Sequence, residues 1–189
     1  MSQNTTGKQI ALRLAFSAMA VALAYVTSFI RLFRMPLGGS VTLFSMLFIA
    51  LVGYWFGPVW GLSVGFIYGI LQFLQGGYFL TPFQVCCDYL LTFAALGLSG
   101  FLRNKKQGLI KGYILGIVGR GFFASLAGYL YWFEYMPENF PESIKFLYPV
   151  IYNFAYILVE ALITVIVLSL PPVQKAMVTV KHMAEGKRR

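Results

Sequence analysis

Charge is scarce in this 189-residue chain: only 11% of its residues are Asp, Glu, Lys or Arg, and just six are acidic. Soluble domains carry roughly 25% charged residues, so a compact water-soluble enzyme or a disordered regulator is excluded. Cysteine is nearly absent. Cys86 and Cys87 are adjacent inside an apolar run, too close for an ordinary disulfide and without metal-ligand spacing, which excludes a disulfide scaffold. The single histidine, His182, lies beside Lys181 far from any nucleophile, and no metal cluster is written in the chain. No GxxxxGK(S/T) phosphate loop occurs, so the chain does not hydrolyse ATP through such a site.

What is present is apolar surface. Hydrophobic residues make up 59% of the chain, the composition of a polytopic membrane protein whose side chains face lipid. The net charge of +9 does not point to nucleic acid, because the basic residues cluster between apolar stretches and at the C-terminus, as in loops that obey the positive-inside rule. Crossing the hydrocarbon takes about 20 helical residues. Six stretches are candidates, at 10–30, 41–56, 58–75, 82–102, 109–131 and 146–170. Gly57-Pro58 separates the second from the third as a tight breaker, predicting a helical hairpin. The first reads as a retained helix rather than a cleaved signal peptide. The expected fold is an all-α membrane protein, one domain of six transmembrane helices over 1–189, with 171–189 as a basic cytoplasmic tail.

Six crossings put both termini on one side. Lys8, Arg13, Arg103, Lys105, Lys106, Lys111, Lys175, Lys181, Lys187, Arg188 and Arg189 all fall there, against Arg31, Arg34 and Lys145 opposite, where Glu134, Glu138 and Glu142 also lie. The first side is therefore expected to be cytoplasmic. Three external connectors are rich in Gly or Pro: 34–40, 76–81 and 136–141. Such segments either form ordinary surface turns or fold back over the bundle as a lid.

Polar groups at membrane depth need a partner, a cavity or a function. Asp88 lies about six residues, or roughly 9 Å, inside the external end of the fourth stretch. Asn153 lies at similar depth in the sixth, Gly128 and Trp132 close the fifth, and Tyr78 approaches from the 76–81 connector. Gln84 shares a helix face with Asp88 at i,i+4. Together these form the chemistry of a pocket for a small, flat, cationic ligand: a counter-charge, rings for cation–π contact, an amide for a heterocycle edge and a glycine allowing close approach. Tyrosine and tryptophan at such depth also form interfacial belts, but a belt needs no buried acid. Arg120 and Glu160, at matching depth on neighbouring helices, read as a structural ion pair, with Glu160 as a proton-relay group the alternative. Ala11/Ala15, Ala18/Ala22 and Ala20/Ala24 give the first helix small-xxx-small faces that serve either packing inside the bundle or docking of a membrane partner.

Several segments in order carry a family resemblance: Met35-Pro36-Leu37-Gly38-Gly39-Ser40-Val41, Pro82-Phe83-Gln84 leading to Asp88-Tyr89, Phe93-Ala94-Ala95-Leu96-Gly97-Leu98-Ser99-Gly100, Ser125-Leu126-Ala127-Gly128 running to Trp132, and Tyr148-Pro149-Val150-Ile151-Tyr152-Asn153. With them the chain resembles the thiamine-specific substrate-binding subunits (S components) of energy-coupling factor (ECF) vitamin transporters, the ThiT or YuaJ family. The resemblance implies a non-enzymatic protein of the bacterial plasma membrane that needs no cofactor. It implies capture of thiamine from outside with high affinity, and delivery through a transmembrane coupling subunit and two ATPase subunits. It assigns thiamine binding to Asp88, Tyr89, Gly128, Trp132, Tyr148, Asn153 and Tyr78, and docking on the coupling subunit to the alanine face, Ala11, Ala15, Ala18 and Ala22. Two departures stand out: Ala124 where some members have histidine, and Gly38 near where some have tryptophan. Tyr129, Tyr131 or Phe123 are the expected substitutes for the missing ring. An autonomous ion-coupled carrier and an S component for another vitamin are the alternative readings.

Overall fold

The computed structural model describes residues 2–138 and 140–187; Asn139 of the 136–141 connector and Arg188 and Arg189 of the tail lie outside the described residues. Helix α1 (Ser2–Ser28) leads into a short hairpin of β1 (Arg31–Arg34) and β2 (Ser40–Thr42), followed by α2 (Ser45–Phe56) and α3 (Pro58–Leu74). Then come α4 (Pro82–Leu102), α5 (Gly108–Tyr135) and α6 (Glu142–Ser169), and finally α7 (Pro171–Ala184). In hydrocarbon every backbone polar group must be bonded internally, which is why apolar stretches of this length fold as helices. Among the described residues four helices are long and apolar enough to span a membrane, namely α1 over Gly7–Ser28, α4, α5 and α6, while α2 and α3 are shorter apolar helices.

The turn between α2 and α3 forms as the breaker pair predicts. Gly57 takes φ +96° and its N–H bonds to the Gly53 carbonyl at 2.8 Å, and Pro58 opens α3. This hairpin packs on α4 with almost no side chain between the backbones. A methyl group added at Gly61 would lie 2.6 Å from the Gly53 Cα and 2.9 Å from the Gly97 Cα, so only glycine fits where the three helices meet. Ser99 of α4 donates to the Ala50 carbonyl of α2 at 2.6 Å, removing a polar group from the packed layer. On the other side, Tyr68 of α3 donates to the Ala24 carbonyl of α1 at 3.1 Å, and Gln72 donates to Ser28 at 3.1 Å.

Three expectations are corrected. The second stretch does not begin at 41: residues 40–42 pair antiparallel with 31–34, with Arg34 opposite Ser40 and Phe33 opposite Val41, and Gly38 turns the chain at φ +95°. Helix α2 therefore starts at Ser45. The tail beyond residue 170 is a helix rather than a plain charged extension. Glu185 just past its end bonds Arg103 at 2.8 Å and Lys187 at 2.6 Å, and Lys181 donates to the Arg103 carbonyl at 2.8 Å. Burial pushes the Glu185 carboxyl up, but its bonds to Lys187 and Arg103 outweigh this and hold it below the usual carboxylate range.

Finally, Arg120 and Glu160 form no ion pair. Glu160, 3% exposed, receives the Thr42 N–H at 2.9 Å, the Thr42 hydroxyl at 2.7 Å, the Met46 N–H at 3.2 Å and the Ser45 hydroxyl at 3.4 Å. The start of α2 presents unpaired N–H groups and the positive end of a helix dipole, which satisfy a carboxylate from α6 more completely than one arginine could. Arg120 instead stacks on Phe93, its guanidinium carbon 4.3 Å from the ring centroid. Glu160→Ala is expected to strand these donors at a cost of about 1–3 kcal/mol for each one left buried and unpaired. Glu160→Gln, which keeps one acceptor oxygen, should cost less. Thermal unfolding midpoints in detergent check the ranking, and a Glu160→Ala midpoint equal to that of the wild type contradicts it.

Candidate ligand-binding site

One end of the bundle, formed by the early turns of α4, the last turns of α5 and the start of α6, encloses a cavity of about 300 Å³ roofed by the β-hairpin and the 75–78 connector. Its walls follow helical spacing. Asp88, Tyr89, Thr92 and Phe93 come from α4, Arg120, Ala124, Gly128 and Trp132 from α5 at every fourth residue, and Tyr148, Tyr152, Asn153 and Tyr156 from α6.

Both acid and indole sit where the helices are locally widened. Residues Cys86–Leu91 of α4 and Gly128–Trp132 of α5 are π-helical. Such widened turns re-aim side chains and recur at functional sites. They bring Asp88 and Trp132 together: the Trp132 indole N–H donates to Asp88 Oδ2 at 2.8 Å, and the Gln84 amide donates to the same oxygen at 2.5 Å. Oδ1 has no hydrogen-bond partner among the described residues. Gln84 is fully buried and does not reach the cavity wall; its role is behind Asp88, where its carbonyl also receives the Leu80 N–H at 3.1 Å and so ties the connector to α4. Tyr89 anchors the same connector, its hydroxyl accepting the Tyr78 N–H at 2.9 Å.

The α6 side is equally fixed. The Asn153 amide donates to the Pro149 carbonyl at 2.9 Å and to the Ala124 carbonyl at 3.2 Å, while its own carbonyl accepts from the Tyr156 hydroxyl at 3.0 Å. Gly128 is tight for a helix-packing reason: a methyl group there would lie 2.8 Å from Pro149 Cβ. The Tyr152 hydroxyl accepts the Gly39 N–H at 3.0 Å and donates to the Pro36 carbonyl, pinning the hairpin over the cavity.

Sequence reasoning missed Arg120, Tyr152 and Tyr156 as wall residues. The every-fourth-residue stripe through Arg120, Ala124, Gly128 and Trp132 is the signal that could have found the arginine. Its Nε and Nη1 are buried without a hydrogen-bond partner, and with the exposed Arg31 of the hairpin it gives the cavity two cationic side chains beside the one acid, Asp88. Of the expected ring substitutes, Tyr129, Tyr131 and Phe123 all stay off the wall. Tyr129 instead donates to the Phe146 carbonyl at 2.5 Å. The ring near Gly38 comes from Tyr78, whose Cε2 would lie 3.3 Å from a methyl group at Gly38 and which meets Trp132 edge-on at 5.6 Å between centroids. Among the described residues no group of three His, Cys, Asp or Glu could hold a metal.

The model of the thiamine transporter protein (Thia_YuaJ) family matches residues 14–180. The chain belongs to this family. Within it, the chain is 32% identical to the thiamine transporter ThiT of Bacillus subtilis over 150 residues, which is 72% of this chain and 76% of that protein. It also resembles the solved structure of ThiT from Listeria monocytogenes, with 27% identity, a TM-score of 0.68, and coverage of 87% of this chain and 97% of the other. Like its relatives this thiamine transporter family member has a transport rather than a catalytic role, and it is a multi-pass protein of the bacterial plasma membrane. On its α1, Ala20 and Ala24 are buried in the bundle, 2% and 0% exposed, whereas Ala11, Ala15, Ala18 and Ala22 face outward.

Proposed function

We propose that this chain is the thiamine-capturing S component of an ECF-type importer, with six membrane crossings as one domain and both termini in the cytoplasm. The observation that carries the reading is Asp88 at the cavity wall: Trp132 and Gln84 occupy one carboxylate oxygen and leave the other for a guest. A buried anion with half its capacity unused favours a cation, and the surrounding rings add cation–π attraction. The cavity, about 300 Å³, is at the small end of ligand pockets, which suits two linked small rings. Thiamine supplies both, a positively charged thiazolium and an aminopyrimidine. Arg120 repels the thiazolium, so the cationic ring lies on the Asp88 side and the hydroxyethyl oxygen is the acceptor available to the free guanidinium donors. Tyr89, Tyr148 and Tyr78 complete the walls, Asn153 bonds a heterocycle edge through its remaining carbonyl lone pair, and Gly128 keeps α5 close to α6.

The bound vitamin undergoes no chemistry. Lacking a phosphate loop of its own, the chain depends on two ATPase subunits and a transmembrane coupling subunit for release. The outward alanines, Ala11, Ala15, Ala18 and Ala22, are the surface for docking on that subunit, since small residues let helices approach closely in lipid. The ion-coupled alternative would titrate Glu160 or Asp88; Glu160 is engaged by the start of α2, which leaves Asp88 as its candidate and uptake by the chain alone as its test.

Thiamine titrations of detergent-purified protein are expected to show Asp88→Asn weakening affinity by at least about ten-fold, the size of one lost charge-assisted contact, with Glu160→Gln near the wild type among folded molecules. Equal losses contradict the assignment of Asp88. Liposomes holding this chain alone should accumulate no thiamine under a proton or sodium gradient, and accumulation there would establish the autonomous carrier instead.

A further inference from the structure

At the opposite end of the bundle a second cavity of about 250 Å³ lies where the first turns of α1, the end of α2, the residue after α4 and the end of α7 converge. Arg103, just beyond α4, is about 22 Å along the chain from Asp88 at 1.5 Å per helical residue, so this cavity is separate from the vitamin pocket. Three cations line it, Arg13, Arg103 and Lys187, against one acid, Glu185. Glu185 is already shared between Arg103 and Lys187. Arg13 has no acidic partner among the described residues, and its guanidinium carbon lies 5.9 Å from the centroid of the Phe56 ring. The lining therefore keeps a net charge of +2.

Two of the lining side chains carry a buried donor with no hydrogen-bond partner. Trp55 is 6% exposed, yet its indole N–H is buried and unbonded, and so is Nε of Arg103. A buried unpaired N–H costs about 1–3 kcal/mol, so two of them on the walls of one basic cavity favour an acceptor-rich guest. The remaining walls are apolar at Leu12, Phe56 and Ala184 and polar at Gln9. Basic side chains and tryptophan at a membrane boundary are the chemistry that recognises a phosphate at the edge of hydrocarbon.

We propose that this cavity binds a phosphate-bearing anion, the headgroup phosphate of an anionic phospholipid or a soluble phosphate compound, held by Arg13, Arg103 and Lys187 with the Trp55 indole N–H as a neutral donor. An occupied site joins the end of α7 to the start of α1. The proposal does not depend on what the vitamin pocket binds.

Full-length protein purified in detergent, supplemented with phosphatidylglycerol or phosphatidylcholine, is to be examined by native mass spectrometry, and titrated separately with inorganic phosphate by calorimetry. The expected result is preferential retention of one phosphatidylglycerol, falling about five-fold for each basic residue removed in Arg13→Gln and Lys187→Gln. Retention should also fall in Trp55→Phe, which keeps an aromatic ring and removes the N–H. Phosphate binding that disappears in the same variants, without lipid preference, supports the site and assigns it to a soluble anion. Equal retention of both lipids by wild type and all three variants, together with no phosphate binding and unchanged circular dichroism, overturns the proposal.

Discussion

A carboxylate held between helices at the edge of hydrocarbon is unstable unless something answers its charge, and the architecture around Asp88 is an answer left half complete. Trp132 and Gln84 both donate to one oxygen. That arrangement requires α4 and α5 to present acid and indole at one level, which their widened turns at Cys86–Leu91 and Gly128–Trp132 achieve. It requires α5 and α6 to lie close, which Gly128 against Pro149 permits. The hairpin and the 75–78 connector then close the space from above, each held by a tyrosine hydroxyl, Tyr152 for the hairpin and Tyr89 for the connector.

The second buried acid shows the contrast. Glu160 takes two N–H groups at the start of α2 and the hydroxyl pair of Thr42 and Ser45, which also bond each other, so its hydrogen-bond partners come from the fold. Both acids sit inside the membrane-embedded part of the chain, yet one is a structural cap and the other part of a cavity wall. Arg120 completes the comparison. Released from any ion pair, it brings a cationic edge to the same cavity as Asp88, and the two signs give a bound molecule a direction.

Much of this was readable from residues alone, for physical reasons that differ by element. The bounds of α4 and the break at Gly57-Pro58 follow from apolar length and from glycine and proline, which act locally. Asp88, Asn153, Gly128 and Trp132 were found by counting depth along helices, because a polar residue in an apolar run is conspicuous. Depth carries no information on rotation about the helix axis, however, and so Arg120 was matched with Glu160 at equal depth although they face different neighbours. The β-hairpin escaped notice because its strands are three and four residues long, too short for an alternating pattern. The C-terminal helix was masked by its charge, which the ion pairs around Glu185 turn into contacts with the bundle.

The claim on which the functional account rests is that Asp88 serves a positive guest by charge and not merely by hydrogen bonding. The direct measurement is the affinity of thiamine against an analogue whose thiazolium is replaced by an uncharged ring of the same size, on the wild type and on Asp88→Asn. The account predicts that the wild type prefers the cation by about ten-fold or more, the effect of one nearby opposite charge, and that Asp88→Asn loses most of that preference. A preference of undiminished size in Asp88→Asn would contradict it.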